Sequence, residues 1–321
     1  MKLKYLFCLI LLTLVFYSCR NEPLAKHKEG YVTVEGGKVW YRILGNGKKT
    51  PLLMMHGGPG GTHRSFYQLE PLSQDRQLIL FDQLGSGKSE FHKDTALLKV
   101  DKFVDQVQAL RQALELKEVY LHGHSWGTAL ALETYLAHPE GVKAIVFNSP
   151  YFSTAIWEAD ADTLITYLPD SIQKAIETGE REGVFTSKGY QQANRVFMKN
   201  YGVRKERPSN PWDTVKAKRN DFIYNYMWGP TEFTATGSLK SYDRFENLKD
   251  IKVPALFLTG EFDEARPSTV RRFQNQVRGS EFVVIEGAGH GTMHDNREQN
   301  IEAIRSFLNR IDDQEPNLTE D

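Results

Sequence analysis

The feature that most constrains the fold is the pentapeptide GHSWG at residues 123–127, which lies between a strand pattern and a helical pattern. Residues 119–121 form a short apolar run, and residues 126–137 have a helical pattern that ends before Pro139. A serine between two glycines at such a turn is typical of a nucleophile elbow, because glycines let the strand and the helix approach closely. The motif predicts that Ser125 is a nucleophile. The alternative is a glycine-rich turn that carries a surface serine.

The rest of the chain alternates strand and helix patterns, which predicts a mostly parallel sheet covered on both faces. A glycine-turn hairpin at residues 31–43 precedes this alternation, and residues 151–244 interrupt it with helical, aromatic and charged sequence but no convincing strand. We therefore predict an α/β core with an inserted helical cap. The predicted boundaries are 30–150 and 245–311 for the core, 151–244 for the cap and 312–321 for a frayed polar tail.

A serine hydroxyl needs a base to become nucleophilic, and the base needs a carboxylate to orient it. In the α/β-hydrolase fold these three groups follow the order serine, acid, histidine. Asp263 follows an apolar strand at 255–258, and His290 follows a strand at 281–285. Both therefore lie at carboxyl ends of strands, where such sheets bind ligands. The competing candidates are His294 for the base and Glu261 and Glu264 for the acid.

Two glycine-rich loops accompany these candidates. The sequence HGGPGG at 56–61 follows a strand at the point where the fold places an oxyanion loop, and the backbone N–H groups of Gly58 and Trp126 are the predicted donors. The sequence GSGKS at 85–89 suggests a phosphate loop, but that motif requires a glycine where Asp82 stands. We expect this second loop to brace the oxyanion side of the site.

The N-terminus predicts export. Lys2 and Lys4 precede a 13-residue apolar run at 5–17, which is too short to span a membrane and ends just before Cys19. We predict a bacterial lipoprotein signal at 1–19, lipidation of Cys19, a polar tether at 20–29, and a membrane-anchored protein in the periplasm or at the cell surface. The alternatives are an ordinary secretory signal and an uncleaved anchor.

Composition excludes several other classes. Forty basic and 41 acidic residues give a net charge of −1, which argues against nucleic-acid binding. The two cysteines, Cys8 and Cys19, both lie in the N-terminal segment. No thiol nucleophile or cysteine-based metal site is therefore available in the rest of the chain, and we predict neither a metal nor an organic cofactor.

Taken together, the motifs resemble the proline iminopeptidase family of α/β-hydrolases. HGGPG, DQ-x-G-x-G-x-S, G-x-S-W-G, GEFDE and the GH pair occur in family order over residues 30–310, and MWGPTEFTATG at 227–237 looks like the tricorn-interacting aminopeptidase type. The resemblance implies the triad and oxyanion residues named above. It further implies that Glu232 and Glu264 bind the free α-amino group of the substrate. Carboxylates provide such recognition by charge-assisted hydrogen bonds.

This sequence also departs from the family pattern. Leu84 and His124 stand where many members have arginine and glycine, and Leu84 weakens the case for strict proline specificity. The cap aromatics Tyr224, Tyr226 and Trp228 either line the pocket for the first residue or form the cap core.

We therefore expect a serine aminopeptidase that releases proline or another apolar residue from short peptides with a free N-terminus, through an acyl-enzyme. One alternative is an esterase or amidase that acts on neutral substrates. The other is a non-catalytic binding protein that has kept the fold.

Overall fold

A central sheet organises the structure, a computed structural model that describes residues 27–90, 93–206 and 218–314. In these ranges eight strands pair in the order β1-β2-β4-β3-β5-β6-β7-β8. The first two strands and the β2–β4 pair are antiparallel, and the other pairs are parallel. The strands are β1 His27–Val34, β2 Gly37–Leu44, β3 Lys49–Met55, β4 Arg76–Phe81, β5 Val119–His124, β6 Val142–Asn148, β7 Ala255–Gly260 and β8 Glu281–Ile285. The prediction of an α/β-hydrolase fold with a mostly parallel sheet is confirmed.

Helices cover both faces of this sheet. Those in the described ranges are α1 Val100–Ala113, α2 Trp126–Ala137, α3 Thr154–Ile165, α4 Asp170–Glu182, α5 Lys188–Phe197, α6 Asp221–Met227, α7 Pro267–Gln274, α8 Thr292–Asp295 and α9 Arg297–Gln314. A 3₁₀ segment at His63–Gln74 follows the first glycine-rich loop. No sequence pattern predicted this segment or the short α8.

Strand order explains why distant motifs meet. β3 and β5 are parallel neighbours, so the loop at 56–61 lies next to the elbow at the end of β5. β7 and β8 are also parallel neighbours, so the segments that carry Asp263 and His290 leave the sheet side by side. Because parallel strands end at a common edge, four loops far apart in sequence converge there.

The hydrophobic core has one layer on each face of the sheet. One layer includes Leu53, Leu121 and Phe147 with apolar side chains of α1, α2 and α7. The other includes Met54, Tyr120 and Val146 with side chains of the 3₁₀ segment and α9. Successive residues of β3 and β5 alternate between the layers, as the period of two in a strand requires.

Helices α3 to α6 lie between β6 and β7 in the chain, in the segment predicted to be a cap. Side chains of α3, α4 and α5 form a separate apolar cluster with Phe233, which includes Leu164, Tyr190 and Phe197. The buried side chains of α6 belong instead to the core on the sheet. In the described part of this segment, β pairing is limited to two isolated bridges, Ser153 with Asp243 and Thr231 with Thr234. The cap thus covers the edge of the sheet and adds no strand to it in the described residues.

The predicted termini need two corrections. Residues 27–29, assigned to the tether, belong to β1, and the side chain of Glu29 accepts a hydrogen bond from Trp40 Nε1 over 3.0 Å. The tail predicted from 312 is also wrong at its start, because α9 continues to Gln314. Asp312 accepts hydrogen bonds from Tyr120 Oη over 2.8 Å and from Arg76 Nη2 over 2.7 Å, which fix the helix end to the core.

The predicted lipoprotein signal at 1–19, with Cys19, lies outside the described residues. Among the helices of the described ranges, none has the length and apolarity needed to cross a lipid bilayer.

Candidate active site

Ser125 occupies the predicted elbow between β5 and α2. Its backbone has φ 57° and ψ −128°, a left-handed conformation that is unfavourable for a residue with a side chain. The turn is crowded, because a Cβ on Gly123 would lie 2.2 Å from Gly127 O and one on Gly127 would lie 1.9 Å from Met55 O. Glycine is therefore required at both positions for the strand and the helix to come this close.

The loop at 56–61 packs against the elbow. A Cβ on Gly57 would lie 2.9 Å from Ser125 Cβ, so the loop and the serine are in direct contact. Gly58, which has φ 119°, lines one small pocket together with Ser125 and Trp126. Trp126 is the first residue of α2, and the N–H of a first helical residue has no acceptor within its own helix. Gly58 and Trp126, the predicted oxyanion donors, therefore both border the pocket that contains Ser125.

Gln83, in the second glycine-rich loop, connects the loop at 56–61 to Trp126 at the start of α2. Its Nε2 donates to His56 O over 2.9 Å, and its Oε1 accepts from Trp126 Nε1 over 3.0 Å. Its backbone N–H donates to His56 Nε2 over 3.0 Å. Because Gln83 is buried, these bonds have no competition from water. The second glycine-rich loop is therefore hydrogen-bonded both to the loop at 56–61 and to Trp126.

Asp82, the residue before Gln83, fixes the position of the same loop through hydrogen bonds. Its buried carboxylate accepts hydrogen bonds from the backbone N–H and the ring Nδ1 of His63, both over 2.8 Å, and from the backbone N–H of Lys88 over 2.9 Å. Burial alone would raise the pKa of Asp82, but the hydrogen bonds and positive potential of His63 outweigh it and lower the pKa. Asp82 therefore remains an anion that holds the 3₁₀ segment and the loop together.

Asp263 and His290, the predicted acid and base, are in direct contact. His290 Nδ1 lies 2.8 Å from Asp263 Oδ1, and both side chains are largely buried. The backbone N–H groups of Gly260 and Ala265 donate to the same carboxylate over 3.1 and 2.9 Å. Burial would raise the pKa of Asp263, but the charge and hydrogen bond of His290 lower it. The carboxylate is thus fixed in position and ionised, as orientation of a base requires.

The other candidates for the acid and the base lie in different environments. Glu261 is exposed and accepts a hydrogen bond from the backbone N–H of Gly287 over 2.9 Å. His294 Nδ1 lies 3.4 Å from Asp295 Oδ1, a different carboxylate. Glu264 lies closer to the base, but its Oε1 is 3.6 Å from His290 Nδ1, beyond hydrogen-bond distance. Asp263 and His290 are the pair that geometry brings together.

Glu264 is an unusual buried carboxyl group. It is 1% exposed, and neither of its oxygens has a hydrogen-bond partner among the described residues. Burial raises its pKa well above the ordinary value, and the negative charges of Glu232 and Asp263 act in the same direction. A buried carboxyl group without donors is costly, so it indicates a site that a ligand completes.

Glu264 also affects the base. Burial alone would lower the pKa of His290, but the negative charges of Glu264 and Asp263 raise it to about 9. Since the pKa of Glu264 is raised too, the Glu264–His290 pair retains a proton at neutral pH. A positive charge placed beside Glu264 would displace that proton.

Glu232 lines the same small pocket as Gly58 and Pro59 of the loop at 56–61. It is half-buried and lines the pocket that contains Ser125 and Gly58. Burial raises the pKa of the Tyr224 hydroxyl well above its ordinary value, and the negative charge of Glu232 adds to the effect. Both glutamates implied by the family resemblance therefore lie around the Ser125–His290 site.

The cap closes this pocket. Its walls include Tyr151, Trp157, Trp228 and Leu239, and its free volume is about 10 Å³, which is room for about one water molecule. Trp228 therefore lines the pocket, whereas Tyr226 is 39% exposed and stacks on Phe222 outside it. A first residue as large as proline enters only when the cap side chains move.

Two neighbours of His290 were missed or undervalued by sequence reasoning. The rings of His290 and Trp157 meet edge to face at 5.4 Å between centroids. His124 Nε2 donates to His290 O over 2.9 Å, which ties the elbow to the base loop. No hydrogen bond in the described part of the chain joins Ser125 Oγ to His290, and catalytic hydrogen bonds are often long in sites without substrate. In sequence His124 appeared only as a departure, and Trp157 as one cap aromatic among many.

The described ranges contain no cluster of three or more histidine, cysteine or carboxylate side chains arranged to hold a metal ion.

Comparison with known proteins supports the same chemistry. Residues 50–297 match a family described as the alpha/beta hydrolase fold. A proline iminopeptidase from Heyndrickxia coagulans is 40% identical over 288 residues, which cover 89% of this chain and 100% of that protein.

Two crystal structures extend the comparison to three dimensions. The proline iminopeptidase of Mycobacterium smegmatis superimposes with a TM-score of 0.80 at 26% identity, covering 89% of this chain and 99% of the other. VinJ superimposes with a TM-score of 0.82 at 27% identity, covering 90% of this chain and all of the other.

Proposed function

Because this chain belongs to the proline iminopeptidase family of α/β-hydrolases, we propose that it is a serine aminopeptidase that removes an N-terminal proline from short peptides. The observation that carries the proposal is the pair of carboxylates beside the catalytic residues. Neither oxygen of Glu264 has a hydrogen-bond partner in the part of the chain that the structure describes, and Glu232 shares a pocket with Ser125. An ammonium group within reach of both would supply the missing donors.

We propose the following reaction for this site. His290 removes the proton of Ser125 as the hydroxyl attacks the carbonyl carbon, and Asp263 holds the ring and stabilises its charged form. The backbone N–H groups of Gly58 and Trp126 bind the oxyanion. His290 then gives the proton to the leaving amine. Water, activated by the same histidine, hydrolyses the acyl-enzyme and releases the first residue.

Recognition of the amine also prepares the base. In the empty site the pair of His290 and Glu264 retains a proton at neutral pH, and a protonated base is inactive. A substrate ammonium near Glu264 supplies the positive charge instead, so His290 is able to lose its proton. A free N-terminus thus promotes both binding and the first chemical step. We also propose the tricorn-interacting subtype, on the basis of MWGPTEFTATG at 227–237.

The test compares kcat/KM for Pro-arylamide, N-acetyl-Pro-arylamide and p-nitrophenyl acetate on wild type and on Glu232→Gln and Glu264→Gln. Wild type should cleave only the free-amine arylamide and the ester. Each variant should lose roughly ten- to a hundredfold on Pro-arylamide, because a charge-assisted hydrogen bond contributes about 1.5–3 kcal/mol. Equal cleavage of the blocked and free arylamides by wild type would favour the esterase or amidase alternative.

We further propose that the protein is exported as a lipoprotein anchored through Cys19. The support is the sequence of the first 19 residues: a basic start, a 13-residue apolar run and a cysteine after Ser18. Metabolic labelling with a fatty acid in a bacterial host should mark wild type and not Cys19→Ser. Absence of label on wild type would indicate ordinary secretion or an uncleaved anchor.

A further inference from the structure

A second cavity adjoins the catalytic histidine, and the described residues of its wall include none of the cap aromatics that line the Ser125 pocket. Its volume is about 440 Å³, within the usual range for small-molecule sites. His290 and His124 form part of its wall, whereas the small pocket with Ser125 is lined by Trp157 and Glu232. Since the ring of His290 contacts His124 at 5.0 Å and Trp157 at 5.4 Å, the histidine lies between the two cavities.

The direction of proton transfer decides what the larger cavity receives. The histidine that accepts the serine proton must give it to the leaving amine. The leaving group must therefore lie beside that histidine, on the side that the acyl part of the substrate does not occupy. The acyl part of the substrate, with its ammonium group, occupies the pocket that contains Ser125 and Glu232. The residues after the scissile bond therefore face the cavity that His290 lines.

The two cavities differ in charge. Glu232 lines the Ser125 pocket, whereas Arg64 and Arg219 line the larger cavity, and no aspartate or glutamate is among the described residues of its wall. A short peptide has the complementary distribution, with an ammonium group at one end and a carboxylate at the other.

The polar groups of the larger cavity suit a carboxylate. Arg219 stacks on the ring of Tyr224 at 3.8 Å, and its Nε lies 3.2 Å from a carboxylate oxygen of the highly exposed Asp221. That ion pair uses one of the five N–H donors of a guanidinium group. His294 lines the same wall, its side chain is 10% exposed, and its Nε2 has no hydrogen-bond partner among the described residues.

We propose that this cavity binds the one or two residues that follow the scissile bond, and that Arg64 and Arg219 bind the C-terminal carboxylate of a di- or tripeptide. The inference rests on the proposed aminopeptidase function and deepens it. It makes the enzyme one that recognises both ends of its substrate, so that peptide length is selected by the distance between Glu232 and the two arginines. His294 donates to the same carboxylate or to the last peptide carbonyl.

The decisive substrates are Pro-Phe, its C-terminal amide Pro-Phe-NH₂, and Pro-arylamide, which has no carboxylate. Wild type should cleave Pro-Phe about tenfold faster in kcat/KM than Pro-Phe-NH₂, and this preference should decrease as salt is raised. Arg64→Gln and Arg219→Gln should each lower kcat/KM for Pro-Phe about three- to tenfold. The double variant should abolish the preference for the acid. Pro-arylamide and Pro-Phe-NH₂ should stay within twofold of wild type throughout.

The matched control is Arg195→Gln, which removes the same charge from the cap at a position where the guanidinium pairs with Gln192. It should leave the preference for the acid intact. Melting temperatures identify any variant that has lost its fold, and the comparison of the acid with the amide on wild type needs no variant at all. Equal cleavage of the acid and the amide by wild type, or an unchanged preference in a folded double variant, would overturn the subsite. Failure of wild type to cleave Pro-arylamide would instead overturn the proposed function.

Discussion

The indole N–H of Trp126 donates to the side-chain oxygen of Gln83 over 3.0 Å, in a site that water does not reach. Trp126 is also the residue whose backbone N–H is one proposed oxyanion donor. Through His56, the same glutamine holds the loop that carries Gly58, the other donor. The separation of the two donors therefore depends on one amide side chain that is not among the described residues lining the Ser125 pocket.

We expect Gln83→Leu to lower kcat about ten- to a hundredfold with little change in KM. Loss of one oxyanion donor costs 10²–10³ in kcat, and displacement of a donor costs less than its removal. The control is Gln106→Leu, since Gln106 Oε1 accepts from the backbone N–H of Leu84 in the same loop, whereas the indole N–H of Trp126 donates to Gln83. If both variants lose the same activity, Gln83 has only a general structural role.

The triad makes a sharper prediction. Ser125→Ala, His290→Ala and Asp263→Asn should each reduce turnover of Pro-arylamide severely, by about 10⁴-fold or more for the serine. Combining His290→Ala with Ser125→Ala should cost little more, because triad residues act as a unit. His294→Ala should keep kcat near that of wild type. If His294→Ala lowered turnover severely and His290→Ala did not, His294 would be the base instead of His290.

The pH profile should report the influence of Glu264 on the base. The active form of His290 is neutral, so kcat/KM for p-nitrophenyl acetate should rise through the pKa of about 9. Glu264→Gln removes the charge that contributes most to raising this pKa, so the rise should move to lower pH. Glu261→Gln removes an exposed carboxylate and should leave the profile in place. The rate of Ser125→Ala supplies the background, and an unmoved profile in Glu264→Gln would contradict the coupling.

Sequence reasoning succeeded where the determinants are local. The predicted helix at 126–137 coincides with α2, because an apolar pattern and the flanking residues specify it within a few positions. It failed where the determinants are distant. The contacts of Asp312 with Arg76 and Tyr120 span 236 and 192 residues, so the helix end was assigned to a tail. Trp157 reaches His290 only because the cap folds back over the sheet edge.

We expect one residue of β5, His122, to make the folded protein less stable in acid. His122 is fully buried and neither ring nitrogen has a hydrogen-bond partner among the described residues. Burial, aided by the charge of His124, lowers its pKa from 6.5 to about 3. Between these values only the unfolded chain binds the proton, so stability is lost as pH falls from about 6.5 towards 3.

We therefore expect the change in unfolding free energy caused by His122→Leu to be more favourable at pH 4.5 than at pH 7.5 by about 2.7 kcal/mol, because pH 4.5 lies two units below the unfolded pKa of 6.5. Urea unfolding of both proteins at the two pH values measures this difference, and comparison across pH removes the packing change common to both. An effect of the substitution that is independent of pH would show that His122 does not cause the acid sensitivity.

The left-handed backbone conformation of Ser125 implies a conflict between catalytic activity and thermal stability. A side chain at that φ and ψ costs on the order of 1–2 kcal/mol, and glycine avoids most of the cost. The inactive Ser125→Gly protein should therefore tolerate heat better than the working enzyme. Selection for thermal stability alone would remove the nucleophile, so the serine persists only because turnover is selected as well.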